Sequence, residues 1–513
     1  MKFKLGNKQK YIHIAVIVLG IIFVSLSAFH SSLWFDESYS VAIAKHNFID
    51  IWKITGHDVH PALYYWGLHI IFLIFGNAII LYRLFSIVPI ALMGIGGYTH
   101  IRKEFDEKTG ILFSFFSFFL PIICTYAVEI RMYSWSCFIV TVMTFYGYKF
   151  YMELKENKQF SLKYLSIFGI FSICSCYIHY YALVTACFEN LLLLIFVIKN
   201  YIKNKSNEKE KNSAKKSLIA FIILASIQII LYIPWLIYML GQLRHVENDY
   251  WIANITLLNT IIDITSFQFK NRIVLAFSLN FRTILSFVIA VLLYIYISIK
   301  IFKSIKEKRN IKPAMLAISV YVGVIVIIAI VSIKMPILYS RYLLVMTGAY
   351  IFAISYLIST EKNKYIIYAI CVITLILAIS SNVQNIQENY ASSNSGPAKY
   401  LKSEIQKEDI IVYSNIGNGG VIAAQFPENK QYFLNLYNWE VEEAYKAYGP
   451  GLETVTTYDF LENYHGRIWL IDSENTDLYD NFPKEGISLL KEAQRYDTKY
   501  YGYIYNIILL EKK

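Results

Sequence analysis

The chain has 513 residues, of which 56% are hydrophobic and only 17% charged, and its mean hydropathy is positive. Apolar stretches of about 20 residues, long enough to cross a hydrocarbon core, recur along it, which excludes a soluble globular domain. The net charge of +11 is uneven: residues 1–381 hold 36 Lys+Arg against 18 Asp+Glu, and residues 382–513 hold 12 against 19. The basic excess thus belongs to the apolar part, where it sets orientation and attracts anionic lipid, and no nucleic-acid partner is expected.

In chain order, Lys2, Lys4, Lys8 and Lys10 precede the first apolar run. That run is long and no small-x-small cleavage site follows it, so residues 1–29 read as a retained signal-anchor helix. Membrane spans are predicted at roughly 11–29, 79–99, 111–128, 133–152, 162–180, 182–198, 217–240, 282–302, 314–332, 343–360 and 364–381. Basic loops separate them at Arg102–Lys108, Lys155–Lys163, Lys199–Lys216 and Lys300–Lys312. The positive-inside rule places these loops, the N-terminus and the Glu361–Lys364 turn in the cytoplasm. Eleven crossings satisfy every loop and leave the C-terminal tail outside. Residues 62–76 are apolar but would invert the charge pattern if they crossed. They read as an interfacial helix, with Tyr64, Tyr65, Trp66 and His69 suited to the headgroup layer.

The predicted fold is therefore a polytopic α-helical membrane protein of about 11 transmembrane helices, with a C-terminal extracytoplasmic α/β domain. Residues 1–384 form the membrane domain, with a first outer loop at 30–78, and residues 385–513 form the tail. Ser392–Pro397 reads as a linker into a helix start. Helical stretches at Ala398–Gln406, Thr457–Asn463 and Glu485–Arg495 alternate with apolar runs at Ile410–Tyr413, Val421–Ala424, Ile468–Ile471 and Tyr503–Leu510. No catalytic motif is visible in the tail. The six cysteines all lie in apolar segments and read as packing residues.

The outer face collects the residues that carry chemistry. Asp36 and Glu37 follow the first span, in Trp34-Phe35-Asp36-Glu37-Ser38. Acids suit a helix N-terminus, but carboxylates at the bilayer edge are costly and point to function, with Asp36 as a general base. Asp58 and His60 precede Pro61, placed to orient a substrate or to meet a divalent cation, although no obligatory metal is expected. Arg83 opens the second span and suits pairing with an acid of the first loop. Glu129 and Arg131 lie at an outer junction; Arg131 either snorkels or binds a phosphate, and Arg341 offers a second guanidinium on that face. His179 and Tyr180, like Tyr250, Trp251, Arg244 and His245, sit at the outer edge, as an interfacial belt or as stacking surfaces for a sugar. Glu189 lies mid-span without an assigned role.

Taken in order, these motifs resemble the GT-C superfamily of membrane glycosyltransferases. They are an acid pair after the first span, His60-Pro61 before Leu63-Tyr64-Tyr65-Trp66, Arg83-x-x-Ser86, Glu129-Ile130-Arg131-Met132-Tyr133 and Ser340-Arg341-Tyr342-Leu343-Leu344. The likeness is to bacterial relatives of the protein O-mannosyltransferases and of the aminoarabinose transferases that modify lipid A (family 39-like), over about residues 10–380. It departs where His60-Pro61-Ala62 replaces the usual His-Pro-Pro. The resemblance implies a hexosyl- or pentosyltransferase that takes a sugar from a polyprenyl-phosphate donor to an acceptor glycan, lipid or protein. It aligns Asp36 with the catalytic acid of the first loop, and Asp36 and Glu37 together are the catalytic candidates, Glu37 at the helix start or positioning a neighbour. The substrate-binding set it implies is Asp58, His60, Tyr64, Arg83, Glu129, Arg131, Tyr133, His179, Tyr180 and Arg341. A lipid-linked sugar flippase or transporter, or a polymerase, is the alternative. Transporters place charged or broken-helix sites at the midplane and show internal repeats, which are not visible here.

Overall fold

The computed structural model describes residues 7–156, 161–204, 208–248, 252, 256–271, 279–435, 445–448, 452–474 and 477–513. Tyr250 and Trp251, and the side chains of Arg244 and His245, lie outside the described residues. The helices in chain order are α1 (Asn7–Ser25), α2 (Phe35–Ile43), α3 (Phe48–Gly56), α4 (Leu63–Phe75), α5 (Ile79–Gly96), α6 (Arg102–Glu104), α7 (Glu107–Phe119), α8 (Pro121–Tyr126), α9 (Tyr133–Lys155) and α10 (Leu162–Ile178). They continue with α11 (Tyr180–Lys203), α12 (Glu208–Asn248), α13 (Leu257–Ser266), α14 (Phe281–Lys306), α15 (Lys312–Val331), α16 (Thr347–Ser359), α17 (Lys364–Asn389), α18 (Gly396–Glu404) and α19 (Ile416–Ala423). The strands are β1 (Ile410–Tyr413), β2 (Lys430–Leu434), β3 (Leu452–Val455), β4 (Gly466–Asp472), β5 (Ile487–Asp497) and β6 (Ile504–Lys512).

Among the described residues, eight helical segments are long and apolar enough to cross a membrane. They comprise α1, α5 continued through α6, α11, α12, α14, α15, the Ser340–Ser359 segment that ends in α16, and α17. This is a multi-pass membrane protein. The other three predicted spans fall on helices that do not meet that measure. The 111–128 segment is broken at Leu120, where Pro121 opens α8 with its fixed φ. Helix α10 has 17 residues, and α9 carries Lys149, Glu153 and Lys155 in its final turns. At 13 residues α4 is about 20 Å long, short of a hydrocarbon core of about 30 Å. Its end exposes Leu73, Ile74 and Phe75.

The chain forms two compact units. One is the helical membrane unit: residues 1–26, 85–128 and 132–382. Its helices approach closely where small residues allow it. Phe118 fills the space left by Gly20 and Gly94, and a Cβ on either would enter its ring. All six cysteines are free thiols.

The second unit cuts across the sequence division at 384. It joins residues 27–84 and 129–131 to the whole tail, 383–513. The tail holds a six-stranded sheet of order β3-β2-β1-β4-β6-β5. The first four strands in that order run parallel, and β6 and β5 add antiparallel. Strands β1 and β4 are buried along most of their length, as parallel strands covered on both faces should be. Ile410, Val412, Leu434, Ile468, Leu470 and Ile508 pack as one core.

Three tail segments differ from expectation. Val421–Ala424 is the end of helix α19, because Asn415 caps it by accepting from the N–H groups of Gly417 and Asn418. A four-residue apolar run does not by itself distinguish a strand from a buried helix. Glu485–Arg495 is strand β5 rather than a helix: pairing with β6 overrides the helix propensity of its Lys, Glu and Gln. Thr457–Asn463 keeps only a short helical turn at Asp459–Leu461.

Candidate active site

The acid pair opens α2, where Phe35 is the first helical residue and the cap position, Trp34, makes no side-chain cap bond. The two carboxylates part at once. Glu37 is fully buried. Arg83 grips it bidentately, with Nη1 to Oε1 at 2.5 Å and Nη2 to Oε2 at 3.0 Å. Oε1 also accepts from the Ile130 N–H at 3.0 Å, and Oε2 from the Tyr500 hydroxyl at 2.8 Å. The remaining donors of Arg83 reach the carbonyls of His30 and Ser32. Desolvating two charges costs several kcal/mol each, and only such complete bonding offsets it. The pair ties segments 30–32, 37, 83, 130 and 500 into one frame.

Asp36 is held differently. Its side chain is 18% exposed, and its Oδ2 lies 3.8 Å from Arg131 Nε. Arg131 is buried and spans the site. Its Nη1 meets the Asp36 carbonyl (3.3 Å), Ser40 Oγ (3.4 Å) and the Tyr65 hydroxyl (3.1 Å). Its Nη2 lies 3.2 Å from His60 Nε2, and His60 Nδ1 lies 3.2 Å from Asp58 Oδ2. Guanidinium has only donors, so His60 Nε2 must accept and the ring proton sits on Nδ1, donated to Asp58. His60 is thus neutral in this arrangement. Burial and the Arg131 charge both depress its pKa, against the opposing pull of Asp58. Burial pushes Asp58 up, but its bond to His60 and the other nearby donors and charges more than offset this and hold its carboxyl below the usual range. Among the described residues, no three His, Cys, Asp or Glu side chains converge to hold a metal.

Tyr64 is buried in α4 with its ring beside that of Tyr65, at 5.7 Å and 69°. Glu129 is buried, and its carbonyl accepts from the Arg131 N–H at 2.7 Å.

The remaining sequence-predicted residues belong to the membrane unit. There Arg341 is buried, and its guanidinium carbon stands over the rings of Tyr339 (5.3 Å), Tyr133 (5.5 Å) and Tyr342 (6.0 Å). Such cation–π contacts gain strength when desolvated. His179 caps α11, accepting from the Tyr181 N–H at 3.0 Å, and its ring edges onto Tyr342 at 5.0 Å. Tyr180 points elsewhere: its hydroxyl bonds Gln242 and accepts from Trp235 Nε1. Mid-span, Glu189 accepts from Thr144 Oγ1 at 2.5 Å.

The structure therefore groups Asp36, Glu37, Asp58, His60, Arg83 and Arg131 in one unit and Tyr133, His179 and Arg341 in the other. Sequence reasoning missed Ser40, Tyr65 and the tail tyrosines Tyr500, Tyr501 and Tyr503. The available signal was the density of tyrosine in Tyr500-Tyr501-Gly502-Tyr503, beside a glycine suited to a tight turn.

The helices define a multi-pass membrane protein, and its fold is shared with solved structures. The crystal structure of ArnT from Cupriavidus metallidurans in the apo state is similar over 96% of this chain and 97% of that one, with a TM-score of 0.60 and 11% identity. The crystal structure of ArnT from Cupriavidus metallidurans bound to undecaprenyl phosphate is similar over 98% of each chain, with a TM-score of 0.58 and 11% identity. No protein-family model matches the sequence, and neither does any curated protein. At that identity the shared feature is the fold.

Two predictions follow from the geometry. Arg83→Ala strands a buried carboxylate and should cost about 3–5 kcal/mol, whereas an Arg83→Met, Glu37→Leu pair should cost far less. Thermal unfolding of the purified protein in detergent checks the order. The second concerns pH. His60 has a depressed pKa when folded, so below about 6.5 the unfolded chain binds more protons and stability falls with pH. Asp58, also depressed, adds a further loss as pH drops below about 3.8. His60→Gln should remove the upper loss and reduce the lower one, since the bond to His60 helps hold Asp58 down, in a melting-temperature series across pH.

Proposed function

We propose that this chain is a membrane glycosyltransferase that moves a sugar from a polyprenyl-phosphate donor to an acceptor hydroxyl on the extracytoplasmic side. The observation that carries the reading is the partly exposed Asp36 carboxylate, 3.8 Å from Arg131 Nε and beside a fully bonded acid. The fold shared with ArnT supports it, since one of those structures holds undecaprenyl phosphate. The basic loops between the spans support a cytoplasmic N-terminus and an outer tail, with eleven crossings.

The acceptor oxygen attacks the anomeric carbon as the bond from that carbon to the donor's phosphate oxygen breaks. The hydroxyl proton passes to Asp36, and polyprenyl phosphate leaves with the bonding electrons. One displacement inverts the anomeric centre. Proton removal by a positioned carboxylate contributes about 10²–10⁴-fold. Charge grows on the leaving phosphate, and a guanidinium is suited to meet it. Phosphate is a good leaving group, so the mechanism needs no general acid.

Asp36→Asn should lower transfer by about 10²–10⁴-fold while leaving donor KM within about twofold. Purified protein in lipid, offered a panel of polyprenyl-phosphate sugars with consumption followed by mass spectrometry, checks this. Full transfer by Asp36→Asn sinks the base assignment, and movement of intact donor across vesicles without sugar release favours a flippase. The same panel addresses metals. His60 Nε2 faces Arg131 and is spent as an acceptor, so prior treatment with EDTA should leave the rate unchanged.

A further inference from the structure

The C-terminal domain reaches the acid loop through one tight turn. Tyr501 and Gly502 both have left-handed backbones, at φ 56° and 64°, in the four-residue loop that Thr498 and Tyr503 close between β5 and β6. For a tyrosine that conformation is uncommon and is held by its surroundings. Asn394 Oδ1 accepts from the N–H groups of Lys499 and Tyr500, both at 2.9 Å, and Thr498 N–H donates to the Tyr503 carbonyl. Three side chains of the turn, those of Tyr500, Tyr501 and Tyr503, then meet Glu37, Trp34 and Phe35 of the loop. Tyr501 stacks on Trp34 with centroids 4.2 Å apart and planes 6° apart. The Tyr503 hydroxyl accepts from the Phe35 N–H at 3.2 Å. The Tyr500 hydroxyl donates to Glu37 Oε2 at 2.8 Å, and its ring packs against the Arg83 guanidinium (5.8 Å) and His30 (5.1 Å).

We infer that the Tyr500–Tyr503 turn of the C-terminal domain is a positioning element of the active site, with Tyr500 setting the placement of Asp36 through Glu37. Residues 34, 35 and 37 are each fixed by the turn, and Asp36 lies between them on the same helical turn. The carboxylate that takes the proton owes its orientation to the backbone on either side of it. Losing the Tyr500 hydroxyl leaves a buried carboxylate one donor short while keeping the ring that packs on Arg83. Hydrogen bonds to charged groups are the costly ones to lose. The kinetic consequence rests on the transferase reading; the structural one does not.

The test uses the full-length protein in lipid nanodiscs. In Tyr500→Phe, hydrogen–deuterium exchange of the peptide spanning 34–38 should rise about tenfold, with β4 and β6 as protected as in the parent. Tyr501→Ala should do the same through loss of the stack. Lys499→Ala, in the same turn with its side chain in solvent, should not. With the donor that the parent consumes, Tyr500→Phe should lower kcat about tenfold and leave donor KM within about twofold. Parental exchange and kcat in Tyr500→Phe overturn the inference. So does exchange that rises equally in β4 and β6, which would mean loss of the domain rather than of a contact. A parent that transfers no sugar sinks the transferase reading alone, and the exchange measurement still decides whether the turn holds the loop.

Discussion

The buried ion pair between Glu37 and Arg83 is the constraint on which the rest of the site depends. Placing both charges away from water is unfavourable unless every lone pair and donor is met. The four bonds on the carboxylate and the two carbonyls on the guanidinium supply that completeness. The requirement then works in reverse. Each segment that supplies a partner must stay where it is, so a pair that adds little net stability fixes five pieces of chain. Adjacent residues on a helix diverge by about 100°. With Glu37 turned into the frame, Asp36 is turned out of it. One acid of the pair becomes scaffold and the other stays reachable.

Arg131 carries a second constraint, in how donors and acceptors alternate. From Asp58 through His60 to Arg131 and Asp36, each link joins a donor to an acceptor, and only neutral His60 closes the series. Protonating His60 would set two cations 3.2 Å apart within a buried cluster. The depressed pKa of His60 expresses the same fact as the geometry. In this series the Asp-x-His pair orients an arginine.

Much of the fold was legible because hydrophobic runs of membrane length leave little ambiguity, and the first-loop motifs stood out as polar residues beside apolar ones. Arg83 read as a residue seeking an acid of the first loop, and Glu37, 46 positions away, is that acid. The choice of Glu37 over Asp36 was not legible, since it depends on the helical phase of α2. The tail was harder. Val421–Ala424 and Glu485–Arg495 were misread because short runs carry no periodicity and an edge strand rich in Lys and Glu looks helical. The tyrosine cluster at 500–503 was a local signal, but the contact it makes was not legible, because the partner of Tyr500 lies 463 residues away and no local pattern encodes that distance.

The chemistry of that distant contact also explains why a tyrosine suits it. Glu37 already has one full positive charge from Arg83, so a lysine or second arginine at position 500 would leave the frame with surplus positive charge beside Asp36. A phenolic hydroxyl supplies one directed donor without charge, on a rigid ring that covers the guanidinium. Holding that ring in place requires a turn that cannot slide. The Tyr501–Gly502 geometry sets the hairpin register, and the Trp34 stack compensates for the unfavourable backbone of Tyr501. On the proposed transferase reading, a domain with no catalytic motif of its own contributes to catalysis through the position of another residue's carboxylate.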